Sequence, residues 1–269
     1  LKEIRPGEFH TSATGIRGRV GGIYSLKVRL KDGQEFVSEP EKLNPVPPID
    51  RLYYQLKEIS YIDENNNEQR TPYFELQVDV QDPPGERNYY KWVSEGTYEV
   101  ETQPEDFQMQ DRLGNDIPSP KSCCRQCWIG RKDLSVKVVS DKQFDGNKMV
   151  GKAVGTIPVT PRYMGIKYHV NLQQHSLSQN AFEFWSMLEK QAVGTGSLQD
   201  AAPANAWGNM YNVQKPDERV LGYFGASAIA RKEGWFQRSD VPFFLPRFVY
   251  PDDCRAIPGA TTTRPPFWQ

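Results

Sequence analysis

GNMYNVQKPDERVLGYFGASAIA, residues 208–230, is the stretch on which the fold of this chain turns. From Val220 onward apolar residues alternate with the small residues Gly222, Gly225, Ala226, Ser227 and Ala228, a pattern that predicts a buried or half-buried strand. Glycine in such a run lets another backbone or a large ring come close. The polar loop Lys215-Pro216-Asp217-Glu218 lies just ahead and sets where the strand enters.

Working outward, composition points the same way. Aromatics reach 12%, with 13 Tyr, 13 Phe and 6 Trp, and such rings favour pleated, half-buried surfaces. Gly and Pro stand at 21 each, which implies many turns and irregular connections. A chain of 269 residues can bury one large core or two ordinary ones. Its 33 basic and 34 acidic residues are interspersed, so the basic stripe of a nucleic-acid binder is missing. No apolar run reaches the roughly 18 residues of a membrane-spanning helix. The chain does not open with a basic stretch followed by an apolar one, so any export leader is expected to have been removed or to lie outside this sequence.

The cysteines are Cys123, Cys124, Cys127 and Cys254, three in one cluster and one in the tail. Their even count fits two disulfides, with all pairings open. A tail without regular structure gains most from being stapled to a distant loop. Cys124-x-x-Cys127 also has zinc-ligand spacing, but zinc would need Cys254 and one of His10, His169 or His175. Disulfides are the reading adopted here, and they imply export.

Residues 1–46 read as part of a β domain, with a hairpin from Tyr24–Leu30 through Lys31-Asp32-Gly33 to Gln34–Ser38. Two or three strands bury no face alone, so further strands are expected before Leu1. Asn44-Pro45-Val46-Pro47-Pro48 is a stiff boundary segment. Residues 47–234 then form a second β domain. Its strands are expected at Leu52–Ile59, Tyr73–Val80, Asn88–Ser94, Leu134–Val139 and Tyr163–Leu172, with a turn at Asp145-Gly146-Asn147. Phe74, Leu76, Val78 and Val80 share one face; Lys167, His169 and Asn171 face outward, which makes His169 a surface residue.

Asp63 to Glu68 is a polar hairpin tip whose carboxylates lack calcium-loop periodicity. Residues 102–126 make a long excursion of the kind that is functional or covalently tied. One helix is expected over about 178–192. Ser176 and Ser178 both offer caps, Ser176 with Gln179 matches a capping box, and Gly194 stops the helix. Ala181, Phe184, Trp185, Leu188 and Ala192 fall on its core face. Residues 195–207 are a loop. The tail, 235–269, holds many aromatics and reads as an ordered strap held by Cys254 and laid over a sandwich or a partner.

No constellation carries recognisable chemistry. Nucleophile elbow, Walker loop and dinucleotide fingerprint are missing, and Gly18, Gly21 and Gly22 lack a strand-to-helix setting. Acid pairs can be chosen from 34 acids in too many ways to be specific. Clustered cysteines read as paired rather than as exposed thiolates. No catalytic, cofactor-binding or metal-ligating residue is assigned. Exposed aromatics suit a sugar-stacking or protein-docking platform, although filling a core is the commoner fate of any one of them.

Several phrases together resemble a known family. They include Pro47-Pro48-Ile49-Asp50-Arg51-Leu52-Tyr53-Tyr54, Asp82-Pro83-Pro84-Gly85-Glu86-Arg87-Asn88-Tyr89-Tyr90-Lys91-Trp92 and Cys124-x-x-Cys127-Trp128. Leu177–Trp185, Gly208–Asn212 with Pro216-Asp217-Glu218, Val220–Phe224 and the ending Arg264-Pro265-Pro266-Phe267-Trp268 follow in order. The family is the Bacteroidota outer-membrane lipoproteins of domain of unknown function 4249. The resemblance implies Ig-like or fibronectin-like β-sandwich domains, the first of them partial here, and a lipid anchor on an N-terminal cysteine outside this chain. It also implies a place on the outer face of the outer membrane, and a TonB-dependent-receptor-like β-barrel as partner, with other surface lipoproteins as further partners. A bridge from the cysteine cluster to Cys254 becomes the more attractive pairing. The leading expectation is a non-enzymatic accessory subunit of a barrel complex that contacts substrate or client protein. The alternatives are a stand-alone glycan- or peptide-binding module, or a component of an outer-membrane assembly or secretion machine.

Overall fold

Phe74, Leu76, Val78 and Val80 are all fully buried, and the alternation that carries them builds one of two facing sheets. A computed structural model describes residues 2–11, 14–193, 206–218 and 220–268. The main strands are β1 (Arg51–Ile62), β2 (Glu68–Gln81), β3 (Tyr89–Thr102), β4 (Gln126–Lys132), β5 (Lys137–Ser140), β6 (Lys148–Pro158), β7 (Lys167–Ser176) and β8 (Ile229–Gln237), and α1 spans Gln179–Val193. A three-stranded sheet has the order β6-β2-β1. The seven-stranded sheet runs β8-β7-β3-β4 and on to Ala260–Thr261, with β5 and Val249–Tyr250 also paired to β3.

The chain is therefore a mainly β protein with a sandwich core. Leu76, Val78, Ile157 and Val154 from the small sheet meet Tyr90, Trp92, Tyr98, Val170, Leu172 and Phe236 from the large one. Each large side chain so buried contributes about 1.5–3 kcal/mol. A polar chain crosses one end of the core. The Trp92 Nε1–H donates to Gln174 Oε1 at 3.0 Å, and the fully buried Gln174 amide donates to the Pro47 carbonyl at 3.0 Å. With Ser176 Oγ donating to the Asn44 carbonyl at 2.6 Å, this fastens the proline segment to the sandwich.

The N-terminal hairpin forms as Lys27–Arg29 and Glu35–Ser38, and Gly33 turns it at φ +90°. Its third strand, Met210–Asn212, comes from the far side of the chain.

Several expected boundaries move. Pro161 starts a one-turn helix, Pro161–Met164, whose first turn is capped by Thr160, so β7 begins at Lys167 and Met164 reaches the core from the helix. Leu134 is 87% exposed and precedes the strand, because Asp133 Oδ1 takes the Ser135 N–H in a turn. At α1 the Ser178 hydroxyl accepts from Ala181 N at 3.1 Å and is the cap. The expected box with Ser176 does not form, since that hydroxyl is bonded to Asn44 and Ala228. Ala181 and Phe184 are buried as expected, whereas Ala192 is exposed. Gly194 and residues 195–205 lie outside the described residues.

The largest correction falls on residues 220–228. No strand forms from Val220; the ladder begins at Ile229, and Leu221 is 77% exposed. Glycine does bring backbones together, but as loop against loop: a Cβ on Gly208 would sit 1.5 Å from the Gly222 carbonyl oxygen. The Asn209 side chain then donates to the Phe224 carbonyl and accepts its N–H, both at 2.9 Å. A side-chain amide thus satisfies backbone groups that a strand partner would otherwise serve.

Candidate functional site

Alternation along β3, β7 and β8 sends every second side chain away from the core, onto the outer face of the large sheet. Cross-strand register makes these residues into rows. Thr97, His169 and Trp235 form one; Lys91, His175 and Ile229 form another, three steps nearer the opposite end. The tail covers the first row and α1 covers the second.

At the tail end, Cys127 is bonded to Cys254 across a Cα–Cα distance of 5.9 Å and a sequence separation of 127. Cys123 is bonded to its neighbour Cys124. All of the cysteines are thus paired, and the CxxC spacing holds no ligand set. Beyond Cys254 the chain adds Ala260–Thr261 to the edge of β4 and lays Phe267 and Trp268 on the sheet. The Trp268 indole N–H donates to Glu99 Oε2 at 3.2 Å, and its ring meets Trp235 edge-on at 5.2 Å. Lys121 pairs with Asp252, and Arg247 with Glu101, which tie the 102–126 excursion and the sheet to the strap.

His169 needs correction. It points outward as expected, yet it is only 2% exposed, held between Trp235 and Phe267 with ring centroids 4.5 Å from each. Burial lowers its pKa, opposed by the Glu233 carboxylate 3.5 Å away.

At the opposite end, α1 and residues 223–229 enclose a cavity of about 310 Å³. Its floor is Lys91, His175 and Ile229; Ala181 and Trp185 come from α1, and Gly225, Ala226 and Ser227 form the far wall. The small residues that suggest a close-packed strand therefore leave room instead. Lys91 Nζ lies 3.5 Å from the Trp185 ring centroid, a cation–π contact. Burial pulls its pKa down to about 8. His175 is pulled to about 4, first by burial and then by the charges of Lys91 and Arg231. Its Nε2 is buried without a hydrogen-bond partner, and neither Lys91 nor Arg231 has an acidic partner among the described residues. Tyr223, the lip of the cavity, stacks on Phe184 at 4.9 Å and donates its hydroxyl to the buried Glu41.

Carboxylates elsewhere are spent on their own loops. Asp63 accepts from the backbone of Asn65 and Asn67 at 2.9 Å each, the solvated turn expected there. Asp82, Asp141 and Asp145 bring oxygens within 4.8 Å of one another. Their donors are the Tyr90 hydroxyl and Gly146 N–H, the Asn88 N–H, and the Gly85 N–H respectively. These bonds fix the turn at Gly146 and explain the cluster without a metal.

Sequence reasoning locates the strap and its staple but misses the cavity. Its signal was the outward phase shared by Lys91 and His175, which gains meaning only once register sets them side by side. The family model for domain of unknown function DUF4249 matches residues 2–233. No curated protein and no solved structure matches the chain.

Proposed function

The chain belongs to the DUF4249 family, and from that premise we propose that it is an exported, non-enzymatic surface lipoprotein serving as accessory subunit of an outer-membrane β-barrel. The observation that carries this reading is the strap. A tail fixed by the Cys127–Cys254 bridge holds its last aromatic, Trp268, in the sheet, yet presents Phe243, Phe244 and Phe248 to solvent. Phe244 is 84% exposed. Aromatics kept in water on a constrained segment suit contact with another protein, where rings on few rotatable bonds bury much area at little entropic cost. Paired cysteines suit an oxidising compartment outside the cytoplasm.

The lipid anchor belongs to the same reading, and the barrel would be of the TonB-dependent-receptor-like kind. In this role the module contacts substrate or client beside the barrel. The test is isolation of the full-length native protein in mild detergent, where co-recovery of a barrel supports the reading and recovery alone contradicts it. A second reading, a surface module that binds a small ligand or peptide, draws on the cavity beneath α1.

A further inference from the structure

We propose that the cavity floored by Lys91 and His175 binds an organic carboxylate through its charged end, with the apolar body of the ligand lying between α1 and residues 223–229.

The floor is cationic and lacks its anion. Lys91 carries no acidic partner among the described residues, nor does Arg231 one row along, and the acids of the row beyond, Glu95 and Glu233, lie with Gln173 (3.4 Å) and Lys132 (3.8 Å) and with His169 (3.5 Å) respectively. An ammonium group withdrawn from water without a counter-ion is costly, and a π face compensates only part of that cost. The buried His175 Nε2 beside it also wants a partner. A carboxylate oxygen placed over this row would answer both groups.

The walls select the rest of the ligand. Leu177, Ala181, Trp185 and Ile229 are apolar, and a volume of about 310 Å³ falls at the lower end of the range for small-molecule sites. A small hydrophilic anion would leave these walls wet. A phosphate dianion would bring two charges to a lining whose one cation is Lys91, since His175, with its pKa pulled to about 4, is neutral at physiological pH. The fit is a singly charged acid with an aryl or alkyl body, either a free acid or the C-terminus of a peptide. The site is independent of a barrel partner and stands or falls separately from that reading.

The experiment is calorimetric titration of the full chain with N-acetyl-phenylalanine, its amide N-acetyl-phenylalaninamide, phenylacetate and inorganic phosphate, while the His175 ring is followed by NMR. Each acid is expected to bind at least about tenfold more tightly than the amide, the worth of a charge-assisted hydrogen bond. The His175 ring signals should shift as an acid binds. The Lys91→Met variant keeps the apolar stem and removes the half-buried charge, so it is expected to fold at least as well and to lose the preference for acid over amide. Preference for N-acetyl-phenylalanine over phenylacetate would assign a peptide terminus, and the reverse a free acid. Equal binding of acid and amide, binding of phosphate alone, no binding, or acid preference intact in a folded Lys91→Met would overturn the proposal.

Discussion

At the scale of single residues, the two outward histidines show what a strand pattern leaves open. His169 and His175 share a strand and a phase, and segments outside that strand decide what covers them: the distant Phe267 for one, the adjoining α1 for the other. His175 has a measurable consequence. Its folded pKa, about 4, lies below the ordinary 6.5, so between these values the unfolded chain holds more protons. Stability contributed by the neutral ring is complete above pH 6.5 and is lost as pH falls toward 4. Lys91 and Arg231 face it from β3 and β8, Trp185 lies over Lys91 from α1, and Tyr223 lines the same cavity. No acid among these offsets the charge. His175→Gln should therefore lose less stability on acidification than the wild type, by about 1–3 kcal/mol after allowance for solvent reaching the ring. Urea denaturation at pH 7 and pH 4.5 measures this, and equal losses would contradict it. Gly208 gives a second test. A Cβ there collides with the Gly222 carbonyl, so Gly208→Ala should cost about 1–3 kcal/mol and expose residues 220–226 to protease. Unchanged proteolysis would show that the two loops need no such contact.

At the scale of elements, legibility followed how local the cause was. β2 was readable because its own alternation buries Phe74 through Val80, and α1 because its apolar face and serine cap lie within the helix. The segment from Val220 was not: its apolar residues imitate a strand, while Asn209 and Gly208, more than ten residues earlier, satisfy and crowd its backbone. The cavity was hidden for the same reason, since register alone joins Lys91 to His175. The strap was legible in outline because ordered aromatics plus one distant cysteine call for a staple. Removing that staple with Cys127→Ser and Cys254→Ser should cost about 2–5 kcal/mol and release the tail. Hydrogen exchange at the Trp268 indole would rise while the β2 and β3 amides stay protected. Equal protection of Trp268 in the variant would mean that packing alone holds the strap.

At the scale of the whole molecule, one sheet carries two covered ends and a core behind. The core fixes β3 and β7, which position the cavity floor, and the disulfide holds the tail so that it lies ordered while its middle faces solvent. Phe243→Ser with Phe244→Ser removes exposed rings and should change stability by no more than about 0.5 kcal/mol. If the strap is a docking element, the same change should sharply reduce partner recovery. The measurement that bears most directly on the proposed role uses the full-length protein extracted in mild detergent from its own membrane, with the wild-type chain and the double variant compared by mass spectrometry of what accompanies each. An outer-membrane barrel recovered in fixed proportion with the wild type and depleted with the variant is the predicted result. A wild-type protein that emerges without any barrel would contradict the account.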